Sequence, residues 1–255
     1  NNRVSRSGTI ALWVGFVLLF LPAVYYINRY LWFTYIIDEG NDHRVGSKVG
    51  KAVYRFLAEP ALLCGVVCFI ASLAYLAMAT HHGFYVRCCD GREFYYARYL
   101  DWIITTPLML HALCYLGGFD DDMWHFLFFQ DILMIAAGLI GSTVCTSDKW
   151  IFFAFSMLNF LPIIYYLCDR KNHIVDNNIY DATGNIVTRL ARGDITGAVA
   201  PHIWFLCGFD NVVRLTVLAW SLYPIVWILS EGTGTISSNG EAIFYTVLDV
   251  IAKTG

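Results

Sequence analysis

The sequence contains few charged residues. Only 15% of its 255 residues are Asp, Glu, Lys or Arg, and 17 Lys and Arg against 20 Asp and Glu leave a formal net charge of -3. Because 58% of the residues are hydrophobic, the composition excludes a disordered chain and argues against an ordinary soluble domain. The sequence also lacks a cluster of Lys and Arg that would bind a phosphate backbone, so we expect no nucleic-acid partner.

Cysteine and histidine do not occur with the spacing of a metal site or of a disulfide framework. Most of the eight cysteines lie in hydrophobic segments, where a free Cys behaves as a small apolar side chain. His81, His82, Cys88 and Cys89 are close in sequence, but ligands at adjacent positions close a four-coordinate zinc site poorly. We therefore predict no metal, and a disulfide on the outer face, such as one between protomers, is the alternative.

Long hydrophobic segments are what the sequence does contain. Seven of them approach the roughly 20 residues that cross a bilayer as a helix. They predict helices A to G at residues 8–37, 57–80, 94–116, 122–144, 149–168, 203–229 and 240–255, with a loop at 38–55 and Pro60 in the first turn of helix B. The predicted fold class is an all-α membrane protein, with a single seven-helix domain over residues 1–255.

The distribution of Lys and Arg predicts the orientation in the membrane. The loops between helices A and B and between helices E and F carry more Lys and Arg than the N-terminus and the remaining loops of that side. The positive-inside rule then predicts an extracellular N-terminus and a cytoplasmic C-terminus. Helix G ends soon after Lys253, so we expect it to be truncated and the natural chain to continue. We also expect a homo-oligomer in the lipid bilayer.

Four ionisable residues within the predicted membrane segments require an explanation: Asp101, Asp131, Asp249 and Lys253. A charge at membrane depth is costly, and it indicates a functional site unless a partner explains it. Asp249 and Lys253 are four residues apart, so they share one face of helix G. The alternative is a buried ion pair that only neutralises itself, but such a pair is often replaceable by apolar residues.

Helix C carries a polar stripe that matches this pair. Arg98, Asp101, Thr105, Leu108 and Ala112 follow the spacing of a single helical face. A cation, a carboxylate and a hydroxyl therefore lie in a row along the helix. This arrangement predicts a path for protons or other ions that stops on the cytoplasmic side.

Three motifs carry a resemblance to a known family. Residues 98–108 read RYLDWIITTPL, residues 220–227 read WSLYPIVW, and residues 248–253 read LDVIAK. In this order and spacing they resemble microbial rhodopsins, in the bacteriorhodopsin-like proton-pump branch, over nearly the whole chain. The resemblance implies a seven-helix bundle around all-trans retinal, which would be bound covalently to Lys253 as a Schiff base with Asp101 and Asp249 as counter-ions.

The same resemblance implies a retinal pocket of aromatic and apolar side chains. The implied pocket residues are Trp102, Thr106, Met109, Met134, Gly138, Ser156, Phe160, Trp220, Tyr223, Pro224 and Trp227. Each aromatic residue taken singly is equally compatible with ordinary helix packing. The pocket is favoured only because all of these residues occur together, in the order and spacing of the family.

The implied activity is light-driven outward proton pumping rather than an enzyme reaction on a substrate. The Schiff base of Lys253 would pass its proton to Asp101, with Thr105 hydrogen-bonded to Asp101. Arg98 would lie on the outward side of the Schiff base, and Tyr75 would lie beside Asp249. Glu231 and Glu241 would form the proton-release pair, although such glutamates are often solvated or capping groups.

The cytoplasmic half departs from the pump pattern. Ala112 occupies the position at which bacteriorhodopsin has its internal proton donor, an aspartate. His111 points away from the Asp101 stripe, so we expect it to pack against a neighbouring helix, with a role as proton donor as the second alternative. We give Asp131 a structural role. The alternative functions are therefore a photosensor, with or without a fused C-terminal effector, and a light-gated channel. The channel is the least favoured, because residues 61–79 of helix B carry no charge.

Overall fold

The computed structural model describes residues 3–39, 48–117, 119–169 and 199–254. Within these ranges the chain forms seven α-helices, a short hairpin and one turn of π-helix. The α-helices are α1 (Arg6–Glu39), α2 (Lys48–Ala79), α3 (Tyr96–Gly117), α4 (Asp121–Thr143), α5 (Lys149–Asp169), α6 (Val199–Trp227) and α7 (Ser238–Thr254). The seven-helix fold predicted from the hydrophobic segments is confirmed.

Six of the helices, α1 to α6, are long and apolar enough to cross a membrane, with mean hydropathy from 1.2 to 2.4 over their most apolar windows. Large apolar side chains cover their outer surfaces, and Leu21, Ile151 and Leu218 are each more than 60% exposed. Water would disfavour such a surface, whereas lipid tails match it. The chain is therefore a multi-pass membrane protein.

Helix α2 begins earlier than predicted. The predicted loop at 38–55 is wrong where the structure describes it, because α1 continues to Glu39 and α2 starts at Lys48. Pro60 consequently lies inside α2 rather than in its first turn. Lys, Arg and Ala favour helices, so the charged residues at 48–55 mark where the hydrophobic segment ends and not where the helix ends.

Helix α6 also ends differently from the prediction. Regular α-helix stops at Trp227, and residues Ile228–Gly232 form a π-helical turn. Its wider spacing is visible in the bond from the Thr233 N–H to the Ile228 carbonyl, 2.8 Å long and five residues back. The turn buries Glu231 to 3% exposure, which brings a carboxylate into the bundle.

A two-stranded hairpin lies in the connection between α2 and α3, where we predicted a loop. Strands β1 (Tyr85–Val86) and β2 (Glu93–Phe94) pair antiparallel, with Tyr85 opposite Phe94. Gly91 has a φ of 67° in the turn, a conformation that glycine adopts without strain. Asp90-Gly91 is a turn signal in the sequence that would have predicted this hairpin.

A disulfide between Cys89 and Cys145 ties the hairpin to the connection between α4 and α5. Cys89 therefore does form a disulfide, the alternative that we preferred to a metal site, but its partner lies within the same chain and not in a second protomer. The 56 residues that separate the two cysteines hide the pair from sequence inspection. Cys88, its neighbour, is exposed and free.

The helices close into a ring because α1 packs against both α2 and α7. Helix α3 packs against α2 and α4, and α7 also contacts α2 and α6. Buried side chains of Leu110, Leu127, Phe160 and Trp220 join α3 to α6 in one hydrophobic cluster. This packing brings the charged faces of α3 and α7 together inside the bundle.

Candidate functional site

Lys253 lies between two aspartates at the centre of the bundle. Its Nζ is 2.5 Å from Asp101 Oδ2 and 3.5 Å from Asp249 Oδ1. The three residues are at most 5% exposed. One cation and two carboxylates thus share a site that solvent does not reach, and the ion pair with Asp101 is the shorter one.

The two carboxylates differ in their hydrogen bonds. Asp249 accepts bonds from Tyr75 OH at 2.7 Å, from Trp102 Nε1 at 3.0 Å and from Tyr223 OH at 2.8 Å. Among the described residues, Asp101 Oδ1 has no hydrogen-bond partner. Asp249 thus accepts three hydrogen bonds from neutral donors, whereas among the described residues Asp101 is bonded only through Oδ2, to Lys253 Nζ.

Thr105 lies one turn from Asp101, as predicted, but it does not bond the carboxylate. Its hydroxyl donates to the backbone carbonyl of Asp101 at 2.9 Å. This is the bond that a Thr inside a helix often makes with the carbonyl four residues back.

A cavity with apolar and aromatic walls begins at Lys253. All the pocket residues implied by the resemblance line it, namely Trp102, Thr106, Met109, Met134, Gly138, Ser156, Phe160, Trp220, Tyr223, Pro224 and Trp227. The rings meet edge to face, and the Trp102 ring centroid is 5.2 Å from Tyr223 and 5.1 Å from Tyr245. Such edge-to-face packing keeps the rings in fixed orientations.

Sequence reasoning missed further wall residues: Tyr99, Ile135, Met157, Tyr245 and Ala252. Helical periodicity contained a signal for Tyr245, because it precedes Asp249 by four residues and so shares its face. The same spacing contained a signal for Tyr99, three residues before Trp102, and for Ala252, three residues after Asp249.

Asp131 is fully buried and joins two helices. Its Oδ2 is 2.7 Å from the Thr106 hydroxyl oxygen, which in turn is 2.8 Å from the Trp102 carbonyl oxygen. The contact links α4 to α3 beside the cavity. This position fits the structural role that we predict for Asp131.

A second cluster of charges lies between the hairpin and the adjoining ends of α6 and α7. Arg87 Nη1 is 2.9 Å from Glu231, and Glu241 lies 2.7 Å from Arg92 Nη2 and 2.8 Å from Arg98 Nη1. Both glutamates are buried, at 3% and 2% exposure. The alternative that they are solvated is therefore wrong, and each one is paired with arginine.

Arg87 and Arg92 were not identified from the sequence. They face each other across the hairpin, where the Arg87 N–H donates to the Arg92 carbonyl at 2.9 Å. A hairpin prediction from Asp90-Gly91 would have placed the two arginines side by side, but not against the glutamates. That contact depends on how the hairpin packs on the bundle.

Asp90 anchors this hairpin. Burial raises the pKa of its carboxyl, but hydrogen bonds from the Arg92 N–H and from the Arg87 side chain outweigh burial, so the pKa is lower than usual. A lowered pKa means that the carboxylate stabilises the fold above its unfolded pKa. That stabilisation is lost as pH falls through the folded pKa.

His111 lies outside the cavity and contacts two neighbouring helices. Its Nε2 is 3.3 Å from Glu59 Oε1 on α2, and its ring lies 4.7 Å from that of Trp124 on α4. It therefore packs between helices, as predicted. Ala112, next to it, is buried and provides no proton-donating group.

Comparison with known proteins agrees with this geometry. The family model of bacteriorhodopsin-like proteins matches residues 48–193 and 203–255. This chain belongs to the bacteriorhodopsin-like protein family. The resemblance inferred from the three motifs is thereby confirmed. The family comprises light-driven rhodopsins, which do not convert a substrate as enzymes do.

Several bacteriorhodopsin-like relatives are similar in sequence. The opsin-like protein carO of Fusarium fujikuroi is 33% identical over 198 residues, which are 73% of this chain and 57% of that protein. Archaerhodopsin-2 of Halobacterium sp. (strain aus-2) is 29% identical over 98% of this chain and 82% of its own length. The chain thus spans only a little over half of the length of the fungal relative.

Solved structures of rhodopsins share the fold. The light-driven proton pump rhodopsin of Coccomyxa subellipsoidea is 26% identical, has a TM-score of 0.70 and is matched over 99% of this chain and 95% of its own. Thermophilic rhodopsin from Rubrobacter xylanophilus is 30% identical, with a TM-score of 0.67 over 97% and 92% of the two chains.

The bacteriorhodopsin-like family binds retinal, and the residues of this cavity fit that group. A long polyene requires apolar walls, which the aromatic and methionine side chains provide. Covalent attachment of an aldehyde requires a primary amine, and Lys253 Nζ lies at the cavity. The resulting cation would require a counter-charge, which Asp101 and Asp249 provide.

Proposed function

We propose that this protein is a light-driven outward proton pump with all-trans retinal attached to Lys253. The observation that supports this most strongly is the unequal hydrogen bonding of the two aspartates at Lys253. Asp101 has the shorter ion pair and an oxygen without a partner among the described residues, whereas Asp249 accepts three hydrogen bonds.

Bound retinal would supply light absorption and a light-driven change of shape next to Lys253 Nζ. The protein's own groups then determine where the proton goes. In the dark, Nζ holds the proton between Asp101 and Asp249. When this geometry is disturbed, Asp101 is the better acceptor, because protonating Asp249 would cost the stabilisation by Tyr75, Trp102 and Tyr223.

The outward route continues through Arg98 and the two glutamates. Arg98 is on the same helix as Asp101, three residues earlier, and pairs with Glu241 at 2.8 Å. A change of charge at Asp101 alters the field at Arg98, and Arg98 in turn alters the field at Glu241. We therefore assign the release of a proton to the pair Glu231 and Glu241.

The disulfide supports the proposed orientation. Cys89 and Cys145 lie on the hairpin side of the bundle, which is also the side of the N-terminus, because the Val4 N–H bonds Glu93 at 2.9 Å. Disulfides persist in oxidising compartments. We therefore place the hairpin and the N-terminus outside and the C-terminus in the cytoplasm, and we expect a homo-oligomer in the bilayer.

One observation favours a photosensor as the second candidate. Ala112 provides no group that returns a proton to Lys253 from the cytoplasmic side, and Glu59, an acidic group beside its neighbour His111, lies 3.3 Å from the His111 ring nitrogen. Slow proton return would prolong a deprotonated state. Such a state suits signalling, including signalling to a fused effector, more than rapid transport.

Light-induced pH changes distinguish the two functions. Cells or vesicles with the full-length protein and retinal would be illuminated with and without a protonophore. We expect outside acidification that the protonophore abolishes. Absence of any pH change from a coloured protein would refute the pump and favour the photosensor.

A further inference from the structure

Ser142 lies near the end of α4, is fully buried and connects the cavity to the outer charges. Its hydroxyl oxygen is 2.7 Å from Tyr99 OH, 2.7 Å from Trp227 Nε1 and 2.9 Å from the Gly138 carbonyl. All three partners line the cavity. A single hydroxyl thus contacts wall residues from α3, α4 and α6.

The directions of these hydrogen bonds follow from the chemistry of the groups. An indole N–H only donates and a carbonyl only accepts, so Ser142 accepts from Trp227 and donates its one proton to Gly138. Tyr99 OH must then donate to the second lone pair of Ser142. The Ser142 hydroxyl can therefore form no further hydrogen bond, and the orientations of the Tyr99 and Trp227 side chains depend on where this hydroxyl lies.

The backbone carbonyl of Ser142 faces the outer charge cluster. It accepts a hydrogen bond of 2.9 Å from Arg87 Nη1, and the same nitrogen is 2.9 Å from Glu231 Oε2. Carbonyls in the last turn of a helix lack partners within the helix, and a cation is favourable at that end. Arg87 therefore caps α4 and holds Glu231 with one nitrogen.

The disulfide keeps this contact in register. Cys89 lies two residues after Arg87, and Cys145 lies three residues after Ser142. The hairpin and the last turn of α4 therefore cannot separate. A change at the ion pair of Arg87 and Glu231 is transmitted to the Ser142 turn rather than absorbed by a loose loop.

We propose that Ser142 is a positioning residue that couples the ion pair of Arg87 and Glu231 to the cavity wall at Tyr99 and Trp227. Its carbonyl contacts the ion pair, and its hydroxyl orients the two rings. A disturbance of the ion pair changes the surroundings of the chromophore, and the reverse also holds because coupling is reciprocal. The inference rests on the proposed function in so far as the cavity holds retinal.

A double-mutant cycle tests this coupling. The dark absorption band of the purified full-length protein with retinal would be measured for Arg87→Gln, for Ser142→Ala and for both together. Arg87 does not line the cavity, yet we expect Arg87→Gln to shift the band. In the Ser142→Ala background that shift should be lost.

Ser72→Ala is the matched control. Ser72 is also fully buried, and its hydroxyl donates only to the Phe69 carbonyl at 2.7 Å among its described contacts. In the Ser72→Ala background, Arg87→Gln should shift the band as it does in the parent protein. If Ser142→Ala prevents folding, Ser142→Cys, which keeps the size but bonds weakly, should reduce the shift instead of abolishing it.

Two outcomes would overturn the coupling. One is an unchanged absorption band in Arg87→Gln. The other is an equal shift with and without the Ser142 hydroxyl, which would indicate a direct electrostatic effect of Arg87 on the chromophore.

Ultraviolet Raman spectra of the retinal-free protein provide a separate readout. The indole band of Trp227 would be assigned by difference with the Trp227→Phe variant. Ser142→Ala should shift this band, because the indole loses its hydrogen-bond acceptor. An unchanged band would refute the contact. If the parent protein forms no visible band, the proposed function fails while this second readout still decides on Ser142.

Discussion

At the scale of single residues, the chemistry of the cavity depends on Lys253 and on the unequal surroundings of Asp101 and Asp249. Helical spacing already paired Asp249 with Lys253, and the family motifs added Asp101. The three donors on Asp249 come from α2, α3 and α6. Convergence of side chains from three helices is a tertiary property, so the different roles of the two aspartates could not be derived from spacing alone.

Replacement of Lys253 tests the attachment site. Lys253→Ala removes the amine at the cavity, so we expect complete loss of visible absorption after incubation with retinal. Lys149→Ala is the control, because Lys149 does not line the cavity and should leave the colour intact. A coloured Lys253→Ala protein would contradict the attachment.

The two aspartates should respond differently to neutralisation. Asp101→Asn removes the counter-charge 2.5 Å from Nζ, so we expect a red-shifted band and loss of light-induced acidification in a protein that still assembles. Asp249→Asn also disrupts hydrogen bonds to a buried anion, and it should lower the free energy of unfolding by about 2–4 kcal/mol. Absorption spectra and thermal denaturation would be compared, and an unshifted band in Asp101→Asn would remove its counter-ion role.

At the scale of elements, the hairpin and the π-turn determine the outer side of the site. The hairpin supplies Arg87 and Arg92, and the π-turn at Ile228–Gly232 buries Glu231 against Arg87. A π-turn inserts one extra residue per turn and is frequent at functional sites. Hydrophobic periodicity does not report such a local change, which explains why we predicted a regular helix through residue 229.

The disulfide should contribute measurably to stability. Cys89→Ser with Cys145→Ser opens a link over 56 residues, and such losses cost about 2–4 kcal/mol. We expect a lower thermal midpoint in the double variant and in the reduced parent protein. Cys88→Ser, which alters the exposed neighbouring thiol, should have no effect. Equal midpoints for the double variant and the parent would show that the bond contributes nothing.

At the scale of the whole molecule, the ionisable groups are unevenly distributed along the proposed proton path. The outer half contains three buried arginines and two buried glutamates, whereas Ala112 stands at the donor position of the inner half. If the protein has the orientation that we propose, these charged groups favour release toward the outside, and we expect proton return from the cytoplasm to be the slow step.

Introducing an acid at Ala112 tests this asymmetry. A positioned proton donor accelerates transfer by roughly 10²–10⁴-fold, so Ala112→Asp should speed recovery after a light flash by about 100-fold. Ala112→Asn, which has the same shape without the acid, is the control. Flash photolysis would measure both, and equal recovery in the two variants would show that proton return is not limited by a missing donor.

The sequence by itself determined the seven helices, and it identified Lys253, Asp101, Asp249 and all the pocket residues that the resemblance implied, which line the cavity or lie at it. This was possible because hydrophobic length and helical spacing are local properties, and because the three motifs lie within single helices. The helix ends were predicted less accurately. Charged residues mark the boundary of the hydrophobic segment, but the backbone hydrogen bonds of a helix can continue beyond it, as they do in α2.

Only the tertiary structure decided which carboxylate accepts the three hydrogen bonds, which arginines pair with the glutamates, and which groups Ser142 contacts. These contacts connect residues that are far apart in sequence, such as Arg87 and Glu231, separated by 144 positions. Long-range pairing depends on how the hairpin and the π-turn pack on the bundle. No local pattern of residue types contains that information.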